Sequence, residues 1–164
     1  MAMGTKMAAA INDQINAELY SSYLYLSMSA WTQTQNMRGF AAWLAAQAKE
    51  ENAHAMKFFE YLVERGAAVR LKAIDAPPTE WTTPLEVFKN VAEHERKVTS
   101  LITKLADLAD AEKDRPAAIL LQWFIKEQVE EESSADEIVA KLALIQDSAA
   151  GLMQMDKTLG RRGE

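Results

Sequence analysis

The chain has 164 residues, enough for one domain spanning 1–164, and its 49% of apolar residues is ample for a single core. It has no cysteine, which excludes disulfides, thiolate zinc sites and iron–sulfur clusters, points to a cytoplasmic protein, and leaves carboxylate and imidazole to hold any metal. A net charge of -6 with scattered basic residues excludes a nucleic-acid footprint.

The apolar run after Lys6 reaches Asn12 and Asp13 too soon for a secretory segment. The longest uncharged stretch, Leu19 to Met37, carries too many Ser, Thr, Gln and Asn residues to span a membrane. Prolines occur only at Pro77, Pro78, Pro84 and Pro116, so long segments are free of helix breakers.

The first segment, roughly Lys6 to Gln35, carries Ile11, Ile15, Glu18, Ser22 and Tyr25 at alternating spacings of four and three, which predicts a helix whose core stripe is interrupted by Glu18. The second, roughly Arg38 to Arg65, repeats the pattern as Phe40, Leu44, Gln47, Glu51, His54, Phe58 and Tyr61. Gly66 is placed to end it. Ala67 to Thr83, with its Pro77-Pro78 pair, is too long for a tight turn and reads as a crossover. Thr83-Pro84 fits an N-cap and first helical position, with Glu86 favourable near the positive end of the helix.

The third segment runs to about Glu112 with the stripe Phe88, Val91, Glu95, Val98, Ile102 and Leu105. After Pro116 the fourth gives Ala117, Leu121, Phe124, Gln128, Glu131, Ala135, Ile138, Leu142 and Ile145. A short last segment, about Ala149 to Leu159, has Leu152, Met155 and Leu159 on one side, with Lys157, Arg161 and Arg162 as basic residues suited to a helix end. The expected fold is all-α: a four-helix bundle with a long crossover between helices two and three and a short fifth helix.

In such a bundle the mid-helix residues meet in one layer, so Glu18, Glu51, His54, Glu95, Gln128 and Glu131 should converge. Each unpaired buried charge costs on the order of several kcal/mol. No Lys or Arg occupies the stripes at that level, so protons or metal cations must supply the positive charge. Glu51 and His54, three apart, lie on one helical face and can address one ion. Oxygen-rich ligation with one imidazole suits Fe, Mn or Zn, and a carboxylate can bridge two ions about 3.5–4 Å apart. We read a two-metal site.

The stretches Asn12-Asp13-Gln14-Ile15-Asn16-Ala17-Glu18, Tyr23-Leu24-Tyr25-Leu26-Ser27-Met28, Glu50-Glu51 to His54-Ala55-Met56-Lys57, His94-Glu95 and Trp123 to Glu132 occur in this order. Together they resemble a bacterial or archaeal non-haem ferritin over nearly the whole chain. The resemblance implies that Glu18, Glu51 and His54 hold a first iron, and that Glu51 bridges to a second held by Glu95 and Glu131, with Gln128 beside them. It also implies a third, outer iron site from Glu50, Glu127 and Glu130 with Glu131 shared, and a redox-active tyrosine at Tyr25 with Trp123 in its neighbourhood. Read without the family, Tyr25 and Trp123 are core aromatics and Glu132 is solvated. His94, one residue from Glu95, is turned about 100° away on the helix and is expected off the site.

The general di-iron bundle has Glu-x-x-His on two helices, whereas here the fourth helix offers Gln128 and Glu131. The missing second imidazole argues against bacterioferritin and rubrerythrin-like proteins, and Asn52 replaces the methionine of haem-binding relatives, so no haem is expected. What the resemblance implies is a ferroxidase that oxidises two Fe(II) with dioxygen and stores ferric oxide inside a hollow shell, usually of twenty-four subunits. A second apolar side on helix one (Tyr20, Tyr23, Leu24, Trp31) and Ala41, Ala45, Ala48 and Phe59 on helix two point to assembly through two-fold dimers. Two other readings stand beside it: a di-iron oxidase with a small organic substrate, and a non-catalytic metal-binding bundle.

Overall fold

The structure, a computed structural model, describes residues 3–162. It contains α1 (Thr5–Thr34), α2 (Arg38–Glu64), α3 (Pro84–Ala111), α4 (Arg115–Ile145) and α5 (Ala149–Leu159), with no strand among the described residues. α1 packs along α2, α3 packs along α4, the pairs meet mainly through α1 and α3, and α5 lies across α2 and α4. No helix among the described residues is long and apolar enough to cross a membrane.

The chain turns where its sequence makes turning easy. Asn36, at φ 60°, takes the left-handed conformation between α1 and α2 that asparagine tolerates. Gly66, at φ 68°, ends α2: its N–H bonds Val63 O at 3.0 Å and that of Ala67 bonds Leu62 O at 2.9 Å, the two bonds of a Schellman ending. The crossover then runs back along α1. Asn12 holds its start, donating to Ala68 O (3.0 Å) and accepting from Arg70 N (2.6 Å). Asn16 donates to Ala73 O, Ser27 donates to Pro78 O, and Trp31 meets Trp81 edge-on at its end. The crossover therefore delivers the chain to the far end of α1, and α3 runs in the same direction as α2.

Helix α3 starts on the cap its sequence predicts. Thr83 accepts from Glu86 N at 3.1 Å, and Glu86 reaches back to Thr82 N. Asp114 accepts from Ala117 N at 3.2 Å and pairs with Arg65, tying the end of α2 to the start of α4. The start of α2 is capped from far away in sequence, because Asp156 on α5 accepts from Gly39 N (2.9 Å) and Phe40 N (3.0 Å). Gly39 is required there: a Cβ would lie 1.7 Å from the Asp156 carbonyl oxygen.

Two apolar clusters fill the bundle, one around Met28, Phe40, Leu44, Phe88 and Ile138, the other around Ile11, Phe58, Ile102, Leu121 and Phe124. Each large side chain buried this way contributes roughly 1.5–3 kcal/mol. The α3 stripe is buried throughout, and so is that of α4 up to Leu142. In α2 the last stripe position passes from Tyr61, which is half-buried, to Leu62. The outer apolar side expected of the first two helices is largely covered within the chain. Leu24 and Ala48 belong to its own core, Ala41 is buried and Ala45 half-buried, Tyr20 and Trp31 pack partly against that core, and Phe59 packs partly against the second cluster. Tyr23 and Leu26 remain open, at 49% and 53% exposure.

Candidate metal centre

Between the two apolar clusters lies one polar layer. Glu18 comes from α1, Glu51 and His54 from α2, Glu95 from α3, and Gln128 and Glu131 from α4, all buried. Their ligand atoms form overlapping sets, each lying within 4.8 Å: Glu18, Glu51 and His54; Glu51, Glu95 and Glu131; and His54, Glu127 and Glu131. Glu51 belongs to the first two sets and Glu131 to the last two, so adjacent ions would share carboxylates.

Amides hold the carboxylates in place. Gln14 donates to Glu18 Oε1 at 2.8 Å, one turn along α1. Gln47 donates to Glu51 Oε1 (2.9 Å) and Glu131 Oε2 (2.7 Å), which lie on different helices. Gln128 donates to Glu95 Oε2 at 3.1 Å and lies near the Thr99 hydroxyl. The Tyr25 hydroxyl donates to Glu95 Oε1, and His54 Nδ1 lies 3.2 Å from Glu51 Oε2. One acceptor is left over: Glu18 Oε2 is buried with no hydrogen-bond partner. Such an orphaned oxygen, beside two further ligand groups, is the donor set a hard or borderline cation fits.

The crowding shows in the acidities. Burial pushes the Glu18 carboxyl well above the ordinary carboxylate range, and the charges of Glu51 and Glu95 add to this. Burial, then the charges of Glu51 and Glu131, push Glu95 up to about 8. Burial and the Glu51 charge push Glu131 up to about 7. Burial also works against ionisation of Glu51, but the hydrogen bond and charge of His54, together with hydrogen bonds to Glu18 and Gln47, outweigh it and hold Glu51 below its ordinary value. His54 is correspondingly raised: burial opposes its charge, while its bond to Glu51 favours it. Burial and the Glu95 charge keep the Tyr25 phenol protonated far above its usual range. The layer without metal thus keeps extra protons, which a bound cation would release.

Outside this layer a cavity of about 520 Å³ opens to solvent past His54, lined by Glu50, Glu127, Glu130, Glu131, Trp123 and Arg162 among others. Glu127 lies 4.0 Å from His54 Nε2. Trp123 is no core aromatic: it is 37% exposed, stands edge-on to His54 with ring centroids 5.6 Å apart, and carries the Lys57 ammonium over its face.

The ferritin-like domain family model matches residues 8–145, most of the chain and all of this layer. The chain belongs to that family. A bacterial non-heme ferritin of Bacteroides fragilis (strain YCH46) is 46% identical over 157 residues, covering 96% of this chain and 98% of that one. One of Escherichia coli O157:H7 is 38% identical over 154 residues, covering 94% and 93%. Among solved structures, an open pore ferritin from the hyperthermophilic archaeon Archaeoglobus fulgidus superposes with a TM-score of 0.97 at 46% identity, covering 98% of this chain and 99% of that one.

Within this ferritin-like bundle the six mid-helix residues expected to converge do so, and the acidic residues expected beyond them, Glu50, Glu127 and Glu130, line the outer cavity. Glu132 is half-buried beside Gln128 in a separate cleft, not fully solvated. His94 is turned away, hydrogen-bonded to Ser21 at 2.7 Å between the Tyr20 and Tyr25 rings, and burial lowers it to about 4. Three supporting residues were not expected at the layer: Gln14, Gln47, which was read only as a stripe position, and Arg162. The first two had a signal, since each stands four residues before a layer carboxylate, the spacing at which helix side chains meet. Arg162 had none.

Proposed function

We propose that this chain stores iron: it oxidises Fe(II) with dioxygen at the buried layer and holds the ferric product inside a hollow shell of its own copies. The observation that carries the reading is the sharing of Glu51 between two ligand sets, which supports two iron ions side by side as substrates. Glu18, Glu51 and His54 take one, and Glu51, Glu95 and Glu131 the other, with Gln128 holding Glu95 in place. Paired ions can deliver two electrons together to one dioxygen, which avoids one-electron release. Glu18, Glu95 and Glu131 give up their retained protons as iron enters. Tyr25 orients Glu95 through its hydroxyl and stands ready beside the second ion. Glu50, Glu127 and Glu130, with Glu131, form an outer stop through which a third iron passes.

The second position has only oxygen ligands, without the imidazole of the first, and so holds iron less firmly, which suits a product that must move on. The family and its cage-forming members support an oligomeric shell. We assign twenty-four subunits built from two-fold dimers, each chain acting as one domain in the cytoplasm, with no haem. Tyr23 and Leu26 on α1, and Leu71 and Ile74 on the crossover that runs along it, are exposed and supply apolar surface for the dimer contact. An aerobic Fe(II) titration tests the function: the assembled protein should consume iron far beyond two ions per subunit and stay clear. Uptake that stops at two per subunit, or a ferric precipitate, would count against storage.

A further inference from the structure

Arg162 follows α5, and α5 is fixed against α2 by the Asp156 cap on Gly39 and Phe40. The fold thereby brings a guanidinium from near the end of the chain to the mouth of the metal centre. Arg162 stacks over the Trp43 ring at 4.4 Å and donates to Trp43 O at 3.2 Å, which fixes its direction. Its Nη2 then reaches two acceptors, Glu50 Oε2 at 2.8 Å and Gln47 Oε1 at 2.9 Å. Among the described residues it is the only Lys or Arg lining the outer cavity, where it faces Glu50, Glu127, Glu130 and Glu131, with His54 on the inner wall. The bond to Gln47 has a second effect. By taking Oε1, Arg162 leaves the amide nitrogen for Glu51 and Glu131, the two carboxylates shared between ligand sets.

We propose that Arg162 is a tethered cation that occupies the outer acidic site, holding Glu50 and orienting Gln47 until an incoming metal ion displaces it. A metal ion and the guanidinium compete for the same carboxylate, so Arg162 weakens outer binding and keeps ions from resting there. The inner pair does not share this competitor, because Arg162 touches none of its carboxylates directly. Arg162 is thus a positioning residue that grades affinity from the mouth inward. The proposal rests on the two-inner, one-outer reading given above.

The test is calorimetric titration of the assembled, metal-free protein with redox-inert Zn(II), which reads binding without turnover. Arg162→Gln should keep the inner two ions the tightest and tighten the third by about two- to fivefold, the order expected for loss of a partly exposed ion pair. Arg162→Lys, which keeps the charge, should bind the third ion nearly as weakly as the unaltered protein. An unchanged or weaker third ion in Arg162→Gln overturns the proposal. Absence of the two tight ions from the unaltered protein would instead sink the inner pair, and the proposal with it. If the variants fail to assemble, crystals of the unaltered protein soaked in Zn(II) decide. A cation on Glu50 with the guanidinium gone from it supports the competition, and a cation on Glu50 with Arg162 still bonded there refutes it.

Discussion

Two groups of carboxylates flank His54 under opposite conditions. The inner group, Glu18, Glu51, Glu95 and Glu131, is at most 9% exposed, and among the described residues no Lys or Arg forms an ion pair with it. The outer residues Glu50, Glu127 and Glu130 face an open cavity, and Glu50 already has the Arg162 guanidinium. The same side chain therefore carries different debts of charge. Inside, negative charge is met by retained protons or by metal, whereas outside water and an arginine suffice. The pull on a metal ion should be strongest where the protein supplies the least of its own positive charge.

The contrast is broken most severely by removing an inner ligand. His54→Ala and Glu51→Ala should each slow the initial oxidation of two Fe(II) per subunit by at least about tenfold, since even loss of a residue behind a ligand costs about that much. The bundle should stay helical, and for Glu51→Ala the relief of repulsion on Glu18, Glu95 and Glu131 should keep the metal-free form at least as stable as the unaltered protein. Stopped-flow rates equal to the unaltered protein in both variants would place the chemistry elsewhere.

The next effect is thermodynamic. Glu95, at about 8, and Glu131, at about 7, hold protons in the native state that the unfolded chain loses near its ordinary carboxylate value of 4.5. Above that value the native state binds more protons than the unfolded one, so stability is full at low pH and falls as pH rises through 7 and 8. Between pH 6 and 8 the metal-free protein should lose stability on the order of 3 kcal/mol, read from denaturant midpoints. Glu95→Gln should flatten much of the slope. A metal-free protein whose stability stays flat over this range would show that the inner carboxylates ionise freely.

These expectations rest on a layer that was largely legible in the sequence, because a bundle makes heptad position a direct statement of depth. Glu18, Glu51, Glu95 and Glu131 each break an apolar stripe, and the structure buries all four. The crossover, the Gly66 ending and the Thr83 cap were legible for local reasons. Arg162 was not. Its place depends on α5 folding across α2, which tertiary contacts fix, the Asp156 cap on Gly39 and the burial of Met155 and Leu159 against α2, so it read as an ordinary helix-end base. Trp123 misled for the opposite reason: an aromatic beside a buried Phe124 looks like core, yet a step of 100° takes it to the rim. Leu24 and Trp31 looked like surface for a partner, but the chain's own packing buries Leu24 and its crossover covers part of Trp31.

The smallest effect sharpens the comparison from the outside. Glu130→Ala should leave the first burst of oxidation intact and slow turnover after the first two irons several-fold, because Glu130 lies in the open cavity and belongs to none of the inner ligand sets. A burst lost as fully as in Glu51→Ala would merge the two regions into one.

The central claim, that the buried layer holds two ions sharing Glu51, is tested most directly by anomalous diffraction from crystals of the protein loaded with iron or zinc. The account predicts two strong peaks about 3.5–4 Å apart with the Glu51 carboxylate between them, and a weaker third in the outer cavity. A single peak in the layer, or occupancy confined to the Glu50 side of His54, would contradict it.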